Sequence, residues 1–237
     1  MKPMRALVVR HYKTLNNEAD LIMGWGDAPR ARGWEQDLAW VDTVLRDSGV
    51  QLDAIYSSRL KRARNTALYY AGRHGLDNIG VSRELNEVNY GRDLVRKPKA
   101  WVAAHYPLHK KSPDFVYPGG ESFAQMQRRS VVFVDELARN SPGRTLLLVV
   151  HAGVIRGLIC HFLGLDYGAN LSRKIGHRYI GDFLIDQGRC LRYDELGRPS
   201  GFVRDGHSEP GNQEASNVLE HGNHSLRREG LPETGRW

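Results

Sequence analysis

Short apolar runs alternate along the chain with longer stretches in which apolar residues recur at helical spacing. Arg5 to Val9 reads as a short buried strand running into Arg10-His11. Leu38, Val41 and Leu45 share one face of a helix expected from about Arg32 to Ser48 and closed by Gly49. Leu52 to Tyr56 predicts a second strand, and Ser57-Ser58 a cap for a helix from Arg59 to about His74. Ile79 to Ser82 predicts a third strand. Phe123, Met126, Ser130, Val134, Leu137 and Ala138 mark a helix over Glu121 to Asn140, ended by Ser141-Pro142-Gly143. Thr145 to Val150 is continuously apolar and β-rich, as a central parallel strand is, and leads into a helix from about Val154 to Leu163. Tyr179 to Asp186 and Cys190 to Asp194 form a hairpin around Gln187-Gly188. Strand and helix alternate, which predicts an α/β fold with a mostly parallel sheet covered on both faces.

Between Gly91 and Gly120 the pattern breaks. Pro98, Pro107, Pro113 and Pro118 predict a loop-rich insert over 92–118 that forms a short helical lid. The chain therefore divides into one domain over residues 1–204 and a tail over 205–237. The tail is rich in Gly, Pro, Ser, Asn, Glu and His without hydrophobic period, and is expected to be disordered.

The net charge of +7 suggests an anionic partner. From Asp205 onward, six acidic residues stand against three basic, so residues 1–204 are more basic than the total (7 + 3 = +10). The basic residues are scattered and not interleaved with aromatics, which favours small anions over nucleic acid. No apolar stretch approaches the ~20 residues needed to cross a bilayer. The apolar run near the start is too short for a signal-peptide core, so a cytoplasmic location without membrane contact is expected. Cys160 and Cys190 have no ligand or CxxC spacing and read as two buried thiols. Nothing in the sequence supplies a metal site or calls for a cofactor.

His11 and His151 each follow a buried strand at its carboxyl end, where open α/β sheets place their sites. Arg10 lies beside the first, and Arg62 stands near the start of the helix after Tyr56-Ser-Ser. A transferring phosphoryl group carries charge on three peripheral oxygens, and that charge must meet donors already in place. Arginine's planar fork suits this task. A neutral imidazole attacks phosphorus well, and a carboxylic acid is needed to protonate the leaving oxygen.

Several segments together resemble the histidine phosphatase superfamily, the phosphoglycerate-mutase-like enzymes. Arg10-His11-Tyr12-Lys13-Thr14, with Asn17, is similar to the family's opening Arg-His-Gly-Glu-Thr and the Asn that follows it. Gly24-Trp-Gly-Asp-Ala-Pro resembles the segment leading to its first helix, and Tyr56-Ser-Ser-Arg-Leu-Lys-Arg62 its second motif. Leu85-Asn-Glu87-Val-Asn-Tyr-Gly91 resembles the motif bearing the acid, Gly119-Gly-Glu-Ser122 the opening of a later helix, and His151-Ala-Gly-Val-Ile-Arg156 the closing His-Gly-Gly-x-x-Arg. The six motifs occur in family order over roughly residues 5 to 160.

The resemblance implies a three-layer α/β/α sandwich and a metal-independent phosphotransfer. It implies that His11 becomes a transient phosphohistidine and that Glu87, rather than the nearby Glu84, is the proton donor. Arg10, Arg62 and His151 would line the phosphate pocket, with Asn17 and the backbone N–H of Ala152 as further donors. Arg156 reads as a helix-surface or ion-paired residue, Glu121 with Ser122 as a helix start, and His177 as a surface or core residue.

Two positions depart from the family pattern. Tyr12 replaces the usual Gly, and is expected to narrow or wall the pocket. Lys13 replaces an acidic residue, and is expected to add positive charge at the rim, selecting a substrate with a second acidic group. The family holds hydrolases and mutases. The segment between Glu87 and Gly119 is short, which favours a phosphatase acting on a small phosphomonoester or a phosphoprotein. A phosphoglycerate-type mutase and a catalytically weakened phosphate-binding protein are the alternatives.

Overall fold

The computed structural model describes residues 2–197, which belong to one unit, Met1–Pro199. The expected tail lies outside the described residues. Four strands, β1 (Met4–Arg10), β2 (Ala54–Ser58), β3 (Gly80–Ser82) and β4 (Thr145–Val150), are parallel to one another. The hairpin of β5 (Ile180–Asp186) and β6 (Arg189–Glu195) joins them antiparallel through β1. The sheet order is β3-β2-β4-β1-β5-β6. The helices are α1 (Leu15–Glu18), α2 (Trp34–Asp47), α3 (Lys61–Arg73), α4 (Lys99–His105), α5 (Phe123–Asn140), α6 (Ala152–Leu163) and α7 (Tyr167–Asn170).

Side-chain alternation along the two central strands builds three layers. Leu7, Val9, Leu147 and Val149 pack with Leu38, Val41 and Leu45 of α2 and Ala63, Ala67 and Tyr70 of α3. Ala6, Val8, Leu146, Leu148 and Val150 point the other way, against Met126 and Val134 of α5 and Ile155 and Ile159 of α6. The insert joins this second core through Leu94, Val102 and Tyr117. Burial of each large apolar side chain contributes about 1.5–3 kcal/mol. The fully covered β4 is thus the firmest part of the frame.

The β1–β4 register pairs Arg5 with Thr145 and ends on Arg10 opposite Val150. His11 and His151 therefore leave the sheet side by side, and His11 N–H still donates to Val150 O at 3.0 Å. β2 exits next to β4, which brings Ser58 and the start of α3 to the same end.

Local chemistry moved some expected boundaries. Ser57 and Ser58 lie in β2, and α3 begins at Lys61 after Leu60, which provides no side-chain cap. Ser58 Oγ accepts from Leu60 N–H (3.2 Å), ahead of the helix, and lies 2.7 Å from His151 Nε2. α5 starts at Phe123, with Ser122 and Gln125 forming a reciprocal capping box. α1 and α7 are one-turn helices too short to leave a periodic signal. The hairpin turns on Gln187 and Gly188, both at positive φ (47° and 77°), the backbone a two-residue hairpin loop demands. Of the two thiols, Cys160 is buried and Cys190 only half-buried, because β6 is an edge strand; both are free.

Asp42 ties α2 to α3 from a position that is 1% exposed. Its carboxylate accepts from Arg73 Nε (2.7 Å), Arg46 Nε (3.0 Å) and His74 Nε2 (3.0 Å). Burial acts to raise this carboxyl, but the hydrogen bonds from Arg73 and Arg46 outweigh it and hold it below the ordinary range. A carboxyl depressed in the folded state contributes stability above its unfolded pKa, about 4, and loses it as pH falls through the folded value. Asp42→Asn is therefore expected to cost about 2 kcal/mol in urea unfolding at pH 7. The gap to wild type should close as the pH is lowered below about 4.

Candidate active site

At the carboxyl ends of the central strands His11 is 3% exposed, with its ring set by two contacts. Nδ1 lies 2.6 Å from Tyr12 O. A carbonyl can only accept, so the ring hydrogen sits on Nδ1 and the Nε2 lone pair is left for chemistry. Arg62 Nε–H points at that lone pair from 3.2 Å. Burial first, then Arg62, His151, Arg10 and His177, hold the His11 pKa well below 6.5. The imidazole is therefore neutral and nucleophilic at physiological pH.

Arg62, 1% exposed, is fixed by donating through Nη1 to Gly26 O (2.7 Å) and through Nη2 to Gly24 O (2.8 Å). The Gly24-Trp-Gly26 segment thus serves as its seat. His151 stands 5.0 Å from His11, ring to ring. Its Nε2 is 2.7 Å from Ser58 Oγ, which already accepts from Leu60 N–H. Nδ1 of the same ring is buried and has no hydrogen-bond partner among the described residues. Arg10 Nε and Arg156 Nε are likewise buried without a partner among the described residues. Buried donors left unpaired are costly, and two guanidinium N–H groups lining one cavity describe a seat for an anion. Burial lowers both Arg10 and Arg62 to about 10, so both remain charged at neutral pH.

Glu87 reaches the same spot from the loop after β3. Its Oε2 accepts from Gly153 N–H (3.1 Å) in the first turn of α6, and Oε1 from its neighbour Val88 N–H (3.0 Å). The loop is held by Arg129 of α5, which donates to Glu84 O and Glu87 O and grips Glu121 through two nitrogens. Glu121 in turn binds both polar backbone atoms of Asn89. A Cβ on Gly120 would stand 2.1 Å from Asn89 O, and one on Gly91 2.0 Å from Pro118 O, so only glycine lets these strands of chain approach.

Gly153 is constrained differently: a Cβ there would meet Glu87 Oε1 at 2.1 Å. A carboxyl on a flexible stem can swing away, so Gly153→Ala should leave the melting temperature nearly unchanged. Its expected effect is a fall of about 10²-fold in kcat for alkyl phosphates, since the acid is displaced. Steady-state kinetics beside a thermal melt check this.

Above these groups opens a cavity of about 400 Å³. Arg10, Arg156, Arg173, Lys99, Lys110 and Lys174 line it, against Glu87 as the one acid among its lining residues. Asn17 and Ala152 line it too. The profile described as Histidine phosphatase superfamily (branch 1) matches residues 6–190 of this sequence.

The chain belongs to the histidine phosphatase superfamily.

A 2,3-bisphosphoglycerate-dependent phosphoglycerate mutase of Cytophaga hutchinsonii is 31% identical over 163 residues, covering 65% of this chain and 75% of that protein. A mycobacterial glucosyl-3-phosphoglycerate phosphatase, solved with VO3, superposes with a TM-score of 0.70 at 26% identity, covering 81% of this chain and 97% of the other. A putative alpha-ribazole-5'-P phosphatase from Escherichia coli gives 0.69 at 24% identity, covering 81% and 96%, a likeness of fold. The mixed six-stranded α/β sheet is that of the phosphoglycerate-mutase-like fold.

In this member of the superfamily the structure brings together His11, Arg10, Arg62, His151 and Glu87, with Asn17 and Ala152 at the cavity wall. Asn17 spends its Oδ1 on Thr14, so only its Nδ2 is left to donate into the cavity. The two departures from the family pattern lie elsewhere than expected. The Tyr12 ring turns into the α2–α3 core, 4% exposed, against Trp34 and under the Arg30 guanidinium. It does not narrow the cavity. Lys13 is held outside by Glu18 (3.0 Å) and is absent from the lining. Glu84 also stays outside, paired with Arg83.

Sequence reasoning missed Arg156 and Arg173, and left Lys110 open between pocket and water. Arg156 is 8% exposed and lines the cavity, where helical spacing alone suggested a surface residue. Lys110 and Arg173 come from irregular segments that carry no periodic signal. Among the described residues no three His, Cys, Asp or Glu side chains converge as metal ligands, and no helix is long and apolar enough to cross a membrane.

Proposed function

We propose that this chain is a phosphatase that hydrolyses a phosphomonoester carrying a second acidic group. The cavity carries the reading: Arg10, next to the neutral His11, lines it together with Arg156 and Glu87, and Lys99, Lys110 and Arg173 add positive charge at its walls. In the first step His11 Nε2 attacks phosphorus and the P–O bond to the leaving group breaks. Arg10, Arg62 and His151 meet the equatorial oxygens, and Glu87 gives its proton to the departing oxygen. The ionised Glu87 then takes a proton from water, which attacks the phosphohistidine, releases inorganic phosphate and restores both residues. The second acidic group is assigned to the wall cations rather than to Lys13, which Glu18 already neutralises.

A single short helix in the insert and a cavity open to solvent at its mouth favour water as the final acceptor. The mutase reading draws on the sequence relatives and on the same wall cations, which suit a phosphoglycerate carboxylate. Incubation with p-nitrophenyl phosphate, and with 3-phosphoglycerate plus 2,3-bisphosphoglycerate, in EDTA, separates them. Hydrolysis should exceed isomerisation; isomerisation outrunning hydrolysis overturns the phosphatase reading, and loss of turnover on chelation overturns the metal-free mechanism.

Lys110 adds a pH signature. Burial, then Arg156 and Lys99, lower it to about 8, with Glu87 and Asp20 opposing. A lysine with a lowered pKa is charged below that value and neutral above it. KM for 3-phosphoglycerate should therefore rise several-fold between pH 7 and 9, while KM for p-nitrophenyl phosphate, lacking the second group, changes little.

A further inference from the structure

His177, in the loop before β5, belongs to none of the recognised motifs, yet it reaches under the reacting histidine. Its Nδ1 lies 2.7 Å from His11 O, and its ring centroid 5.6 Å from that of His11. The carbonyl accepts, so His177 Nδ1 carries the hydrogen and donates. The other polar atom of the same peptide unit is also held, since Tyr12 N–H donates to Thr66 Oγ1 at 3.0 Å. Thr66 in turn donates to Arg62 O, one turn back in α3.

This peptide needs such partners because β1 has ended. His11 N–H makes the last contact to β4, and beyond it the chain leaves the sheet without a ladder. The plane of the 11–12 peptide is thus set by two side chains, His177 from one side and Thr66 from the other. Rotation of that plane moves Tyr12 and with it the carbonyl that accepts from His11 Nδ1. That carbonyl fixes the ring tautomer and the direction of Nε2.

We propose that His177 is a positioning residue, whose Nδ1–H clamps the His11 carbonyl and so aims the Nε2 lone pair at phosphorus. It makes no contact with substrate in this role, and it acts as a neutral donor. Burial and the neighbouring Arg10 lower its pKa to about 3, so it adds no charge beside His11 at working pH. An asparagine places an N–H close to where the imidazole Nδ1–H stands, whereas alanine leaves the carbonyl unheld.

The inference rests on His11 accepting the phosphoryl group, and the test separates the two claims. The single-turnover rate of phosphorylation by p-nitrophenyl phosphate is measured for wild type, His177→Ala and His177→Asn. The 15N shifts of the His11 ring are recorded alongside. Alanine should slow phosphorylation by about 10²-fold with KM within about 3-fold, and asparagine should recover to within about 5-fold of wild type. Wild-type and asparagine proteins should show hydrogen on Nδ1 alone, and the alanine variant a mixture of tautomers.

Asparagine as slow as alanine, or an alanine variant with wild-type rate and shifts, overturns the inference. If alanine does not fold, the asparagine rate decides alone. A wild type that acquires no phosphoryl group on His11 overturns the phosphotransfer reading, and the tautomer shifts then still judge the clamp.

Discussion

Replacement of His11 by alanine is expected to abolish the acid-labile phosphoenzyme and to lower turnover of p-nitrophenyl phosphate by about 10⁵-fold. The size follows from what the ring alone supplies. Its Nε2 keeps a lone pair facing the Arg62 guanidinium, since Tyr12 O holds the hydrogen on Nδ1. His151, a neighbouring ring, has its Nε2 engaged with Ser58 Oγ. Arg10, Arg62 and His151 stay in place, so inorganic phosphate should bind the variant with affinity within a few-fold of wild type. Retention of turnover by a folded alanine variant would remove His11 from the mechanism. The wild-type pH profile carries a matching signature. Burial and the surrounding cations keep His11 unprotonated far below the usual histidine range, so kcat/KM should show no acid limb near pH 6.5 from this residue.

Glu87→Gln should divide substrates by their leaving groups. A p-nitrophenolate departs as a stabilised anion, so its transfer to His11 needs little help and should slow by less than about 10-fold. An alkoxide needs a proton, and the same step with an alkyl phosphate should slow by about 10³-fold. Single-turnover rates are the proper readout, because the later attack of water also uses Glu87 and slows for both. Equal losses on the two substrates would show that the carboxyl positions rather than protonates. Glutamine keeps the shape and an oxygen for Gly153 N–H but loses the acceptor for Val88 N–H, a loss that falls on both substrates alike and leaves their ratio as the readout.

Much of this site was legible before any coordinates. The two apolar runs before His11 and His151 put each histidine at the carboxyl end of a buried strand; that the two strands are neighbours came from the sheet register. Arg62 and Glu87 were found by motif, and their burial and backbone contacts explain why such motifs are fixed as blocks: Arg62 requires the carbonyls of Gly24 and Gly26, and Glu87 requires Gly153.

What the sequence hid falls into two kinds. Tyr12 follows a residue that faces the site, but one more bond along the chain turns its ring into the α2–α3 core. A substitution beside a catalytic position therefore says little about the pocket. Lys110, Arg173 and His177 reach the site from irregular segments, where side-chain direction depends on the path of the loop and no period reports it. Arg156 is the one Lys, Arg, Asp or Glu on α6, and its position in the sequence does not tell whether it faces solvent or a cavity.

The contact between Asn89 and Glu121 has an evolutionary corollary. The chain departs from the acid loop at Gly91 and returns at Pro118, and these two points touch. The intervening segment is thus a closed excursion, tied at its root by Arg129, Glu121 and two glycines. Lengthening such an excursion is cheap, since each doubling of a loop costs only about 0.6 kcal/mol in closure entropy. The segment also supplies Lys99 and Lys110 to the cavity wall. Selectivity can accordingly diversify by exchange of this one cassette while the reacting groups keep their places, so a single scaffold can acquire new substrates without relearning its chemistry.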